Sequence, residues 1–371
     1  MPTPPTAPFI LPPMGGILDR YLIAGFARIF AISLLAITAL YLIVDLSDRA
    51  DNFLKSGASL GSSLQYFLYR LPLFISRVFG FATLFSVFLT VGMLSRHQEI
   101  TAMRAAGLSL HRLSLPLLLV SLAISLLTFS WNESLLPVFS RKAQHIYKTE
   151  VKKKQPQNLV GSKEIWIHGN GVFISAADFD SKQNILRGLI IYLMNRDFSL
   201  KGLIEVPWAR WNGAYWEANG STEWLFLANG KMTQRPAANP LPISETPEDF
   251  MVFAREPEEF SFFELKRQIE ELREKGIDPS EYEVDLQIKL AVPLVSPLMA
   301  FLAIPFALRH GPAGGMALSF VLTMLIGFGY WSMLAFSVSL GHSGALPPWI
   351  AAWIPNFTLA LVGLFFFTGE E

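Results

Sequence analysis

The densest chemical signal in this chain is the run Arg96-His97-Gln98-Glu99-Ile100-Thr101-Ala102-Met103-Arg104-Ala105-Ala106-Gly107. It is rich in helix formers and closes on glycine, so it predicts a short helix. Helical spacing sets Glu99, Ala102, Met103 and Ala106 along one face. Alanines allow close approach, Met103 can fill an irregular groove, and Glu99, Arg104 and the leading Arg96 can pair with charges on a partner. That is recognition chemistry, suited to a docking helix; a solvated loop helix with no partner fits the segment equally well. Catalytic chemistry is missing. The chain has no G-x-x-x-x-G-K-[ST], no H-E-x-x-H and no G-x-S-x-G, so neither a nucleotide loop nor a zinc or serine hydrolase site is expected. Its 6 histidines are scattered, and with 0 cysteines there are no disulfides, thiolate metal sites or cysteine nucleophiles. We therefore expect a protein that is not an enzyme and holds no cofactor or metal of its own.

The elements that must position this run are membrane helices. Only 16% of the 371 residues are charged while 51% are apolar, against about 25% charged in a soluble domain. Of the 60 charged side chains, residues 1–140 hold 15 and residues 290–371 hold 3, leaving 42 in the segment between. A single soluble globule is excluded, because the uncharged stretches offer no face to water. The balance of 30 basic and 30 acidic residues gives no global field to attract nucleic acid. Uncharged runs long enough to span a bilayer fall at Tyr21 to Val44, Val78 to Ser95, Leu113 to Phe129, Leu290 to Leu308, within Gly311 to Gly341, and from about Leu346 to Phe367. Residues 1–16, with six prolines and no basic residue, read as a disordered tail ahead of spans one to three in residues 17–140. Arg96, Arg104 and Arg112 share one short loop, with Arg20 and Arg309 on the same side. By the positive-inside rule that side is cytoplasmic, both termini lie there, and the polar middle lies outside. Trp131, Trp331, Trp349 and Trp353 are expected as interface anchors near span ends. Spans four to six carry no interior charge, which argues against an ion-coupled transporter.

Within residues 141–260 the pattern turns to short strands: Ile165 to His168, Val172 to Ser175, Leu186 to Met194, Leu203 to Trp211, Tyr215 to Asn219 and Thr222 to Leu227. Gly169-Asn170-Gly171, Asn219-Gly220 and Asn229-Gly230 mark turns, so an antiparallel sandwich or partly open barrel is expected. Open edges could pair with another chain's strands and an open interior could shelter acyl chains; a closed, purely structural domain is the plainer alternative. Residues 261–289 then connect back to the membrane. Ser261-Phe262-Phe263-Glu264 reads as a capping box opening a helix with Phe262, Leu265, Ile269 and Leu272 on one face and Gly276 at its end. A second helix from Asp278-Pro279-Ser280-Glu281 is expected to continue into span four as a stiff lever rather than a floppy linker, an amphipathic helix on the bilayer surface being the plainer alternative, ahead of the last trio in residues 290–371.

Leu18-Asp19-Arg20-Tyr21, Val44-Asp45 at the end of span one, the run from Arg96 to Gly107, the strand pair around Trp166 to Ile174, the Tyr282 to Lys289 approach to span four, and the order of elements together resemble the LptF/LptG (YjgP/YjgQ) family of lipopolysaccharide export permeases, on its LptG side. The resemblance covers nearly the whole chain. It implies an α-helical membrane protein with six transmembrane helices and an all-β, jellyroll-like periplasmic domain between helices three and four, in a bacterial inner membrane. It also implies the permease half of an ABC transporter, paired with an LptF-like sibling above an LptB-like ATPase dimer that binds the ATP and Mg, which accounts for the missing P-loop. Arg96, Glu99, Ala102, Met103, Arg104, Ala106 and Gly107 would form the coupling helix on that ATPase. Lipopolysaccharide would enter a cavity gated by spans one and five and leave toward an LptC-like bridge. One departure stands out: lysines of the family around Val-Asp are replaced here by Leu42 and Ile43, with Arg49 and Lys55 following. Phosphate contacts are then expected at Arg49 first, Lys55 and Arg70 next and Arg77 last; Arg70 and Arg77 are seven residues apart on one helical face, where snorkelling to ordinary phospholipid is the plainer reading. Two alternatives stay open: a membrane assembly or adaptor protein that moves no lipid, and an ABC permease for another lipid or lipoprotein.

Overall fold

Apolar residues dominate the chain from Ile17 onward without a proline for forty positions, and there the computed structural model has one unbroken helix, α1 (Ile17–Ser56). It ends where Gly57 enters the left-handed region at φ 63° and its N–H caps the Leu54 carbonyl. Among the described residues the longer helices that follow are α2 (Leu60–Arg96), α3 (Glu99–Ala105), α4 (Leu110–Ile146) with a π-helical turn over Tyr147–Val151, α5 (Phe262–Glu274), α6 (Ser280–Ala291), α7 (Val295–Leu308), α8 (Met316–His342) and α9 (Pro348–Thr368). The structure describes residues 16–151, 165–169, 172–180, 183–195, 199–226, 232–236, 240–243, 245–247, 250, 255–274, 278–308 and 316–368. The expected N-terminal tail, Arg309 and Gly276, and the turns at Asn170-Gly171 and Asn229-Gly230, lie outside these residues. The chain divides into two units, residues 1–152 with 280–371, and residues 153–279.

Among the described residues of the first unit five helices are long and apolar enough to cross a membrane, α1, α2, α4 with its π turn, α8 and α9, and the pair α6 and α7 passes the same test together, bent at its break, for a total of five to six spans. Each expected apolar run falls on one of these helices, and α1, α2 and α4 overrun their apolar cores at both ends. Helix α2 lies at the centre, packed on α1, α4 and α7. Its Phe79, Leu84, Val87 and Phe88 join Met299, Ala300 and Leu302 of α7 in one buried cluster. Gly80 faces Val295, where a Cβ would stand 3.1 Å from the valine methyl.

The expected stiff lever into span four is instead broken, with α6 and α7 meeting at 51°. Pro293 has no N–H to continue the ladder and its ring clashes with the preceding turn. The Val295 N–H then turns to the Val292 carbonyl, and Asn356 of α9 donates to the freed Ala291 carbonyl at 2.8 Å. Tyr330 of α8 donates to Asn356 at 2.7 Å, Trp353 donates to Gln287 at 3.0 Å, and His342 meets Asp285 at 3.0 Å. Two of the tryptophans expected near span ends also join helices. Trp131 sits mid-α4 and donates to the Pro72 carbonyl, and Trp331 sits mid-α8, stacked on Phe81. Both take part in packing between helices.

The second unit is one antiparallel sheet ordered β1-β2-β3-β4-β6-β7, with β5 also on β4. The strands are β1 (Ile165–Gly169), β2 (Val172–Asp180), β3 (Ile185–Met194), β4 (Leu200–Trp211), β5 (Trp216–Asn219), β6 (Thr222–Phe226) and β7 (Met232–Pro236). Alternation buries Leu189 and Ile191 of β3 with Ile174, Ile204 and Val206 around Trp216. The strand β7 was not anticipated; it is short, exposed throughout and ends on proline, as an edge strand does. Arg235 on it pairs with Glu223 at 2.6 Å, which pushes the guanidinium pKa up from its ordinary value. The capping box of α5 is formed: the Glu264 N–H donates to Ser261 Oγ at 3.1 Å and the Ser261 N–H to Glu264 Oε2 at 3.0 Å. Leu265, Ile269 and Leu272 are its buried face.

At Gly341, where α8 nears its end, a Cβ would come within 2.6 Å of the Ala351 Cβ and 2.9 Å of Val284. Overpacking of that kind costs about 1–3 kcal/mol. Gly341→Ala is expected to lower the melting temperature of the detergent-purified protein by several degrees, and an unchanged melting curve would contradict this packing.

Candidate functional site

Helix α3 sits between α2 and α4 and is closed by a glycine device. Gly107 is left-handed at φ 88°, its N–H donates to the Arg104 carbonyl at 2.9 Å, and the Leu108 N–H donates to the Met103 carbonyl at 3.1 Å. Ile100 is buried, and Met103 and Leu108 pack against the bundle cluster. Ile100 and Met103 on the helix, with Leu108 just after it, thus fasten a two-turn helix that could not hold itself in water. The opposite face is open: Arg96, Ala102, Arg104, Ala106 and Gly107 are exposed. Met103, expected to face a partner's groove, is partly buried and packs against the bundle. Glu99 is half-exposed and accepts a hydrogen bond from the Tyr21 hydroxyl at 3.0 Å.

Beside this contact the start of α1 is tied to the start of α4. Arg112 donates from both terminal nitrogens to Asp19, at 2.5 and 3.0 Å, and Asp19 is buried. Paired, planar bonds of this type fix orientation as well as distance. The sequence reading used Arg112 only as a mark of the cytoplasmic side. A signal was present, since an arginine in the first turn of a helix is disfavoured by the helix dipole unless an anion lies near.

A second cluster lies toward the other end of α1, after its apolar run. One oxygen of Asp45 is 3.1 Å from Arg49 Nε and 3.6 Å from Arg70 Nη1 of α2. Arg70 also donates to the Tyr66 hydroxyl at 2.7 Å. The Arg49 guanidinium lies over the Tyr66 and Tyr147 rings at 5.9 and 5.7 Å, and that of Arg70 near Tyr66 and Phe74 at 5.6 and 5.4 Å. Beneath them Phe53, Tyr66, Phe67, Ala143 and Val151 form a separate apolar cluster. Tyr147 reaches this place from the π turn that ends α4, a widened turn common at functional sites. Of the four expected phosphate contacts, Arg49 and Arg70 converge. Lys55 is a turn and a half further out, paired with Asp51 on the surface, and Arg77 is two turns away along α2, half-buried. The roles of Asp45, Tyr66 and Tyr147 here were not read from the sequence.

An apolar bundle of membrane-length helices with an exposed helical knuckle and a basic, aromatic-lined cluster is the build of a multi-pass membrane protein. Residues 20–368 match the family described as lipopolysaccharide export system permease LptF/LptG, and the chain belongs to that family. Among characterised proteins it is similar to the lipopolysaccharide export system permease protein LptG of Escherichia coli strain K12, 23% identical over 360 residues that cover 94% of this chain and 97% of the relative. The same figures hold for LptG of Escherichia coli O6:H1. The chain is a multi-pass membrane protein of the lipopolysaccharide export permease type.

Breaking a buried, doubly bonded ion pair leaves an uncompensated charge, at a cost of about 3–5 kcal/mol. Asp19→Ala and Arg112→Leu are each expected to destabilise the protein, while the double variant loses less than the sum. A double-mutant cycle on thermal stability that gave no coupling would refute the pair.

Proposed function

We propose that this chain is the LptG-like half of an ATP-driven exporter that extracts lipopolysaccharide from the inner membrane and passes it to a periplasmic bridge. It pairs with an LptF-like sibling, and an LptB-like ATPase dimer that binds ATP and Mg docks on the exposed face of α3. Both termini are cytoplasmic and the sheet unit is periplasmic, handing acyl chains toward an LptC-like protein.

The observation that carries the reading is the two-sidedness of α3. Its outward face offers Ala102, Ala106 and Gly107 for close approach and Arg96 and Arg104 for charge pairing, while Ile100, Met103 and Leu108 bind its inward face to the bundle core. A push on such a helix reaches the spans directly, because close-packed interiors transmit strain. Through Tyr21 and Glu99 it reaches α1 as well. Helices α1 and α8, the first and fifth spans, show large apolar side chains outward, among them Ile32, Leu35, Leu325 and Phe328. These suit lateral gates that open between a cavity and lipid. At the far end of α1, Arg49, backed by Arg70, meets lipid phosphate.

Ala102→Glu tests the docking role, since the residue is exposed and its exchange leaves the bundle untouched. An unpaired charge buried in the interface is expected to weaken ATPase association at least tenfold, about 1.4 kcal/mol or more, with an unchanged melting curve of the isolated subunit. Undiminished co-purification of the ATPase with this variant and with Glu99→Lys would overturn the reading.

A further inference from the structure

The Asp45 carboxylate is only half used. Its Oδ1 serves both arginines, whereas Oδ2 is buried with no hydrogen-bond partner, and the Nε of Arg70 is in the same condition. Two guanidiniums therefore share a single anion, leaving a positive surplus, an unused donor and an unused acceptor a few ångströms from one another. Such an arrangement is under-satisfied as it stands, since each buried polar atom without a partner is costly. The two cations also differ in access. Arg49 is 31% exposed along its side chain and Arg70 14%, with Arg70 steadied from behind by Tyr66.

We propose that Asp45 is an internal competitor for the Arg49 and Arg70 site, selecting phosphomonoester lipids over phosphodiester lipids. This rests on the reading above that Arg49 and Arg70 meet lipid phosphate. A tethered carboxylate competes at a high effective concentration. A phosphodiester headgroup brings one negative charge, so replacing Asp45 exchanges like for like and strands the carboxylate. A phosphomonoester brings a charge of about −1.5 to −2 and three strong acceptor oxygens. It satisfies both guanidiniums, the idle Arg70 Nε included, and outweighs the carboxylate it displaces. Bulk phospholipids, which are phosphodiesters, would thereby be kept off a site that faces them at every moment.

The test uses the full chain with its co-purifying partner proteins in phosphatidylcholine nanodiscs holding a trace of fluorescent phosphatidic acid, a phosphomonoester. Phosphatidylglycerol, a phosphodiester, is the competitor. Wild type is expected to prefer phosphatidic acid, and Asp45→Asn to narrow that preference roughly tenfold, chiefly by admitting phosphatidylglycerol. Asp45→Glu, which keeps the charge, is expected to retain the preference and guards against loss of fold in the first variant. An equal preference in wild type and Asp45→Asn overturns the competitor role while leaving the phosphate site intact. Unchanged phosphatidic acid binding by Arg49→Gln overturns the phosphate reading itself, and with it this proposal. Displacement of phosphatidic acid by millimolar inorganic phosphate would show that the site draws its phosphate from water and overturn the selection among lipids.

Discussion

A polar group inside an apolar bundle must find its partner within the protein, and the arrangement of this chain follows from how that demand is met. Where Pro293 breaks the approach to span four, the freed Ala291 carbonyl is answered by Asn356, and Asn356 is oriented by Tyr330. A single break thereby ties α6, α8 and α9 together. The Trp131 indole answers the Pro72 carbonyl and joins α4 to α2. Asp19 and Arg112 answer each other and join α1 to α4. Apolar contact alone specifies little about which helix lies beside which, because one leucine-rich face suits another; these bonds are directional and select one arrangement.

The spans and the strands were legible in the sequence because each leaves a local trace. A run without charge shows a span, alternation around turn residues shows a strand, and the Ser261 to Glu264 capping box formed as its spacing implied. Partnership between distant residues leaves no such trace. Asp19 and Arg112 are far apart in sequence, and so are Tyr21 and Glu99, so their bonds could be seen only in three dimensions. The stiff lever into span four failed for a local reason that the sequence did contain, Pro293 inside an otherwise helical run. Strand β7 escaped notice because its exposed face carries no alternation.

For the run from Arg96 to Gly107, the helical face was legible and its division between buried and exposed residues was not. Periodicity puts Met103 beside Ala102 and Ala106, but Ile100 and Leu108 complete an apolar triangle with Met103 that belongs to the bundle. What the run leaves exposed is built from small and polar side chains, among them Ala102, Ala106, Gly107 and the two arginines. At the basic cluster, residue types pointed to Arg49 and Arg70, while only the structure brings both to one carboxylate and sets them over Tyr66.

Helix α1 joins these two places. With no proline along its forty residues, it is a rod of about 60 Å at 1.5 Å per residue, held near one end by Asp19 and bearing Asp45 roughly 39 Å further along. A rod pivoting about its fixed end converts angle into displacement. A tilt of about 5° at the Asp19 end sweeps Asp45 and Arg49 through roughly 3 Å, on the order of one hydrogen bond's length. Arg70 is carried by α2, so a tilt of α1 relative to α2 at the Asp19 end changes the spacing of the two arginines at the other.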